Sequence, residues 1–368
     1  MLKRLTTEIG PRPLGLARII IGSAALLRAI IAGETLTALT RPEILRAPYL
    51  DWLPDPTMPL VVLILVIWVV AGVLFVLGWN ITLTGSLLFI AIIATLALDQ
   101  QTYSNHLYLM SWLILLLTLA DAGAGINIHR TDRPVFMWPV LLLQMQLSIV
   151  YGFSALTKFN ESFLSGDVFV GVLVRGLVPF PETLRTPRFL VPLAALAVFV
   201  ELFVAFFIWR TRFRPAVFVL GLGLHLAITL LMADTLPLLI FSLEMLALYP
   251  LFLLREPLRL VWDDDCESSR TWARRLARLD LLRALEPVTA SEGTRPDPIT
   301  ESAHSLHLVH AGETARGFRA IALSLEHLVP TLWLAPILRL PGVRGLGERW
   351  YLRGGTCPGC RPIDQATR

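Results

Sequence analysis

Cysteine is scarce in this chain: three in 368 residues, Cys266, Cys357 and Cys360, with none earlier. No disulfide framework therefore holds the long segment before Cys266 together. Charge is scarce as well. Asp, Glu, Lys and Arg make up 16% of the residues, against about 25% in a soluble globular protein. No phosphate-cradling glycine motif, catalytic serine triad or nucleic-acid module is present, so nothing points to nucleotide chemistry, serine hydrolysis or a nucleic-acid partner.

What the chain has in abundance is apolar residues, at 55%. They are unevenly placed: up to about Leu254 the sequence is apolar with thin charged loops, and from Arg255 it turns Arg-, Asp- and Glu-rich. This break marks a domain boundary, with residues 1–254 in a membrane and 255–368 outside it. Eight candidate spans emerge: Leu14–Ala32, Pro59–Leu77, Ile81–Leu98, Thr102–Ala120, Val135–Thr157, Leu190–Trp209, Pro215–Met232 and Leu236–Leu253. Each is near the ~20 residues a helix needs to cross a bilayer, so the fold class is a polytopic α-helical bundle. Lys3-Arg4 precede the first span as in a signal peptide, but that span is too long for an h-region and carries Arg18 and Arg28. The net charge of +4 follows from loop arginines that orient the bundle. Arg12, Arg130, Arg133, Arg210, Arg212, Arg214, Arg255 and Arg259 fall on one side if eight spans are right. The expected topology of this integral, plasma-membrane protein thus has both termini cytoplasmic and Lys158 facing out, with Arg175, Arg185 and Arg188 counting against it.

Lys158 closes an apolar segment of about two dozen residues that begins at Pro134, long enough to span ~30 Å of hydrocarbon. Two readings are open. The ammonium snorkels to the headgroups as an anchor, or a protein pocket desolvates the amine and makes it a base at neutral pH. Arg18, Arg28, Glu201, His225 and Glu244 also fall within spans, where charged and polar groups face the bundle and seek partners. Arg18 and Arg28 lie about 80° apart around one helix, so one pocket could see both. Structural interhelical pairs are the alternative for each. Gln144 and Gln146 are expected to hydrogen-bond across helices.

Three segments carry a resemblance. They are Asn105-His106 followed by an aromatic and a leucine, Val150-Tyr151-Gly-Phe-Ser-Ala-Leu-Thr-Lys158-Phe, and Gly223-Leu-His225-Leu running into the Leu-Tyr-Pro-Leu-Phe ending near Phe252. In this order, with the opening around Arg18, they resemble the membrane domain of the vitamin K-dependent γ-carboxylase and its bacterial HTTM relatives, over about residues 10–254. The resemblance implies that Lys158 deprotonates a reduced naphthoquinone of the menaquinone or vitamin K type, which reacts with oxygen to give an epoxide and a strong base. It implies that His106 polarises or holds the ring, Asn105 orients it, and Tyr151, His225 and Arg18 line the pocket. A lipid quinone would enter from the membrane, and a dry pocket disfavours a charged lysine. The carboxylase's large luminal part has no counterpart here, so glutamate carboxylation is not implied.

After the break, Leu258–Trp262 reads as a strand, Arg270–Leu281 as a helix and Leu282–Val288 as a second strand. Ser305–His310 and Glu313–Gly317 read as a hairpin, and Phe318–Leu328 as a helix. Strand, cysteine at a helix start, helix, strand, hairpin and helix is a thioredoxin-like order. Val261-Trp262-Asp263, Cys266, Arg316-Gly317 and the Arg-Trp-Tyr351 ending resemble the DCC family of thiol-disulfide oxidoreductases. That family's Cys-x-x-Cys is Cys266-x-x-Ser269 here, which leaves a monothiol mechanism or a degenerate docking domain. Cys357-Pro-Gly-Cys360 supplies the missing thiol, forms its own redox pair, or is half of a zinc site without a second half. His304, His307 and His310 alternate faces on a strand and are read as surface residues, so no metal is expected.

Three functions stay open at this stage. The first is a quinone-linked oxidoreductase or carboxylase-like enzyme using Lys158 and His106, partnered by membrane lipids, a lipid quinone and a peptide substrate. The second is thiol exchange at Cys266 with a cytoplasmic thiol partner. The third is a non-catalytic scaffold for peptide maturation or export.

Overall fold

The computed structural model describes residues 5–49, 52, 55–173, 176–233, 235–253, 258–263, 266–289, 305–310 and 313–354. Contacts divide the chain into two units, Met1–Leu254 and Arg255–Arg368, at the break in composition. The first unit is a helical bundle of α1 (Arg12–Ala38), α2 (Met58–Leu77), α3 (Ile81–Leu98), α4 (Asn105–Leu119), α5 (Met137–Thr157), α6 (Pro187–Phe207), α7 (Arg214–Leu231) and α8 (Thr235–Leu246). A 3-10 turn, Tyr249–Leu253, extends α8. A two-residue strand β1 (Glu8–Ile9) pairs antiparallel with β2 (Val135–Phe136), tying the chain start to the start of α5.

Among the described residues seven helices are long and apolar enough to cross a membrane, α8 being counted with its 3-10 extension. The expected fourth span, Thr102–Ala120, is the exception. Its helix α4 has 15 residues, about 22 Å at 1.5 Å per residue and short of a ~30 Å core. Local polar bonds shorten it. Asp99 accepts from the Ala47 and Gln101 amides at 2.8 and 2.9 Å. The Thr102 hydroxyl donates to the carbonyls of Thr95 and Asp99. These bonds offer the backbone an alternative to helix until Asn105.

Helix α2 displays the solvent for which the bundle is built. Val61, Ile64, Trp68, Ala71 and Phe75 are buried, while Val62, Leu63, Val66, Val69, Val70 and Val73 face outward. An apolar outer stripe of this length suits lipid and not water. Trp68 buries its one polar atom by donating to the Ala25 carbonyl at 3.0 Å. At its far end α2 stops on Gly78, which holds φ at +75°. A Cβ there would lie 1.9 Å from Arg18 Nη1. Arg18 in turn donates to the Ile126 carbonyl at 2.5 Å, so this arginine closes the end of the bundle where α1 begins.

The second unit is a four-stranded sheet with helices. β3 (Leu258–Trp262), helix α9 (Glu267–Leu279) and β4 (Leu285–Thr289) form a parallel crossover. β5 (His307–His310) pairs antiparallel with β3, and β6 (Glu313–Arg316) with β5, for a strand order β4-β3-β5-β6. Helices α10 (Gly317–Leu325) and α11 (Pro341–Gly354) follow. Leu258, Leu260, Leu276, Leu285, Leu308 and Ile321 form its core. The second strand starts three residues later than its apolar run suggests. Asp280 accepts from the amides of Ala284 and Leu285, and Arg283 takes a left-handed φ of 53°, so residues 280–284 are a turn.

Gly78 is under two demands at once, left-handed backbone and contact with Arg18. Gly78→Ala is expected to destabilise the protein by about 2 kcal/mol or more, read as a lower unfolding temperature in detergent, whereas Gly10→Ala, with open space around its Cβ position, leaves it unchanged.

Candidate functional site

Lys158 caps α5 immediately after Thr157. Its ammonium turns inward. Nζ donates to Ser154 Oγ at 2.7 Å and to Glu201 Oε1 at 2.5 Å. Ser154, one turn back on the same face, also donates to Glu201 Oε1, at 2.9 Å. Helix register explains the meeting. Trp209 Nε1 donates to Ser148 Oγ at 2.8 Å, and a Cβ on Gly152 would touch Ala205. With these pairs level, the end of α5 meets α6 part-way along its length instead of at its start. Lys158 therefore ends deep beside α6, and the headgroup-anchor reading does not describe its contacts. The Lys158 side chain is 25% exposed and that of Glu201 only 7%. Glu201 Oε2 is buried without a hydrogen-bond partner.

One turn before Ser154 stands Tyr151. Its hydroxyl shares hydrogen bonds with His225 Nε2 at 2.6 Å and with Tyr249 OH at 2.9 Å. His225 Nδ1 reaches Ser242 Oγ at 3.1 Å, and Ser242 reaches Thr229 Oγ1 at 3.1 Å. A buried polar chain thus joins α5, α7, α8 and its 3-10 extension. Gly221 makes it possible: a Cβ there would sit 1.9 Å from the Tyr249 hydroxyl. Each ring nitrogen of His225 has a partner, as a buried imidazole requires. Gln144 donates to the Leu251 carbonyl at 2.8 Å, the cross-helix bond its position suggests; Gln146 has no such bond among the described residues.

His106 lies on the first turn of α4, with Asn105 exposed ahead of it. Its ring packs on Phe241 at 4.4 Å between centroids, and His225 packs against the same ring at 5.7 Å. Phe241 thus stands between the two imidazoles. Helix α8, which carries Phe241 and Glu244, packs against α1 and α4. The expected site residues fall into groups: Lys158 with Glu201, Tyr151 with His225, and His106 facing His225 across Phe241. No hydrogen bond links Lys158 to His106 among the described residues. Arg18 is not part of this constellation, because its guanidinium is engaged at the end of the bundle where α1 begins. Glu201 was identifiable as a buried acid, but its partner was not. Ser154 and Tyr249 lie in the segments that carry the family resemblance but were given no role there, and Ser242 and Phe241 carried no signal beyond lying in an apolar span.

In the second unit Cys266 is fully buried at the start of α9, and it is disulfide-bonded. The other two cysteines, Cys357 and Cys360, lie outside the described residues, as does His304. Ser269 is fully buried, and its hydroxyl donates to the carbonyls of Cys266 and Asp263 at 2.9 and 3.2 Å. That hydroxyl is committed to the backbone. His307 is buried with Nε2 2.9 Å from Ser305 Oγ, a correction to its reading as a surface residue; it lies on the face of β5 opposite the core residue Leu308, and that face is covered at its position as well. No cluster of three or more His, Cys, Asp and Glu side chains suited to a metal occurs among the described residues.

Comparison with known proteins adds one positive finding. The model of the HTTM domain matches residues 7–256. No curated protein and no solved structure matches the chain.

The pairing of Lys158 with Glu201 makes a stability test. Removing one partner strands a buried charge, so Glu201→Leu is expected to destabilise the protein by roughly 3 kcal/mol or more. Adding Lys158→Met to it is expected to restore most of that loss, measured by thermal unfolding of the single and double variants.

Proposed function

Because the chain belongs to the HTTM family, the vitamin K-dependent carboxylase-like integral membrane proteins, we propose that it carries out quinone-linked redox or carboxylase-like chemistry with Lys158 as the base. The observation that carries this reading is the contact of Lys158 Nζ with Glu201 Oε1 and Ser154 Oγ inside the bundle. A lysine beside a carboxylate in a dry site can hand its proton to that carboxylate. The pair stays neutral overall, and a free amine is left facing the pocket. Ser154 holds both partners while the proton moves. A reduced naphthoquinone would supply the hydroxyl proton and the electrons that oxygen takes up. Buried carboxylate oxygens without partners on Glu201 and Glu244, and an aromatic ring between two imidazoles, suit a flat hydroxylated ring. His106 would hold it against Phe241, with Tyr151 and His225 as the polar wall behind and Asn105 at the mouth. Lipid quinone arriving sideways from the bilayer is the expected partner.

The decisive assay incubates the purified protein with reduced menaquinone and oxygen and analyses the lipid products by mass spectrometry. An oxidised or epoxide product is expected from the wild type, with a drop of at least about hundredfold for Lys158→Ala, the range for removing a positioned base. Equal turnover by the variant would refute the role given to Lys158.

A second reading has its own support. Cys266 at a helix start, where unpaired amides favour a thiolate, follows a strand of a parallel pair flanked by an antiparallel hairpin. That order suits a thioredoxin-like, DCC-type domain, and the disulfide on Cys266 suits exchange with Cys357 or Cys360 or with a thiol partner. Acid trapping and alkylation after mild reduction should capture a mixed disulfide on the wild type and none on Cys266→Ser. Equal capture on both would remove Cys266 from the chemistry.

A further inference from the structure

Helix α11 packs on the second unit through Gly347, Glu348 and Tyr351. The buried Tyr351 hydroxyl accepts from the Leu306 amide at 3.2 Å. Glu348 accepts from the Arg319 amide at 3.2 Å, and a Cβ on Gly347 would lie 2.2 Å from the Phe318 ring. These contacts fix the rotation of the helix about its axis. They leave Leu346 67% and Trp350 54% exposed, one turn apart on the outer side, with Arg349 exposed beside them.

The apolar strip does not end with this helix. Trp350 meets Trp272 of α9 edge to face, with 5.6 Å between ring centroids. The Arg275 guanidinium lies 5.3 Å from the centre of the Trp272 ring, and Leu279, one turn further along that side of α9, is exposed. The acids nearest in sequence are engaged elsewhere: Glu348 on the Arg319 amide, and Asp280 on the amides of Ala284 and Leu285. The strip is therefore apolar at its centre and positive at its margins. Indole and leucine side by side are poor neighbours for water. The interface of a bilayer suits all three residue types, with Trp at headgroup depth, Leu at the acyl boundary and Arg on phosphate. The chain also keeps a bilayer close. The last apolar span ends at Leu253 and β3 begins at Leu258, and five steps of extended chain reach at most about 18 Å. This tether holds lipid at a high effective concentration, an advantage no soluble partner shares.

We propose that this strip binds acidic lipid: Leu346 and Trp350 enter the interfacial layer of the bilayer, while Arg275 and Arg349 hold the phosphate groups of anionic headgroups. The inference needs neither the quinone nor the thiol reading. An arginine near an acidic surface gives about fivefold in partitioning, so the two together give about twenty-fivefold.

The test uses the full chain, one copy per disc, in nanodiscs of phosphatidylcholine alone or with about a third phosphatidylglycerol. The readout is hydrogen–deuterium exchange over Glu267–Leu279 and Pro341–Tyr351. With phosphatidylglycerol present, exchange of these segments is expected to slow at least about fivefold, and high salt to remove most of that protection. Leu346→Glu, at an exposed position, and Arg275→Glu combined with Arg349→Glu are each expected to abolish the protection. Exchange in phosphatidylcholine should stay unchanged in these variants, which checks that they keep the fold. If the paired variant does not accumulate, Arg349→Glu alone is expected to cut the protection at least about twofold. Equal exchange of the wild type in the two lipids overturns the proposal, as does protection that survives these substitutions. Protection that appears only when two copies share a disc also overturns it, and assigns the strip to a second copy of the chain.

Discussion

Hydrocarbon offers a polar group no water, so polar groups in the bundle turn inward toward partners within the protein. The arrangement of the first unit follows from that constraint. Lys158 folds back onto Ser154 and Glu201 because hydrocarbon gives its ammonium nothing else. The register of α5 against α6, set by Trp209 on Ser148 and by the close approach at Gly152, brings the two charges level. Tyr151, His225, Ser242 and Thr229 solve the same problem in a line, each hydroxyl or ring nitrogen serving as partner to the next. Small residues supply the room: Gly221 lets the Tyr249 hydroxyl reach the chain, and Gly78 lets Arg18 lie across the end of α2.

The same constraint decided what could be read from the sequence. Spans were legible because lipid tolerates only long apolar stretches, and seven of the eight expected spans are matched by helices of crossing length. For the fourth, an apolar helix forms but is shorter than expected, because hydropathy does not register the side chains of Asp99 and Thr102, whose bonds to backbone delay the start of α4. In the second unit every expected strand and helix is present, and the errors are at boundaries. Asp280 capturing two amides displaced one of them.

The candidate site was legible only in part, and for a physical reason. A charge in an apolar span announces that it needs a partner, but not which one, since the partner lies on another helix at a depth set by packing. Lys158, His106, Tyr151 and His225 were identifiable; the pairing of Lys158 with Glu201 was not. Arg18 and Arg28 show the limit of angular reasoning. About 80° apart around α1, they are also ten residues apart, roughly 15 Å along its axis. That rise separates Arg18, tied to the Ile126 carbonyl, from Arg28.

Two buried acids in one bundle then invite different roles. Glu201 accepts from an ammonium and a hydroxyl on one oxygen, so Lys158 and Glu201 are within direct proton-exchange distance. Glu244, fully buried, has no hydrogen-bond partner on either oxygen. Environment, not residue type, separates the two acids. Two carboxylates in one enzyme commonly divide their labour in this way, through what surrounds each of them. Phe241, between His106 and His225, is where the two halves of the site come closest: Tyr151, His225's partner, lies one turn from Ser154, and Glu244 lies one turn from Phe241 itself.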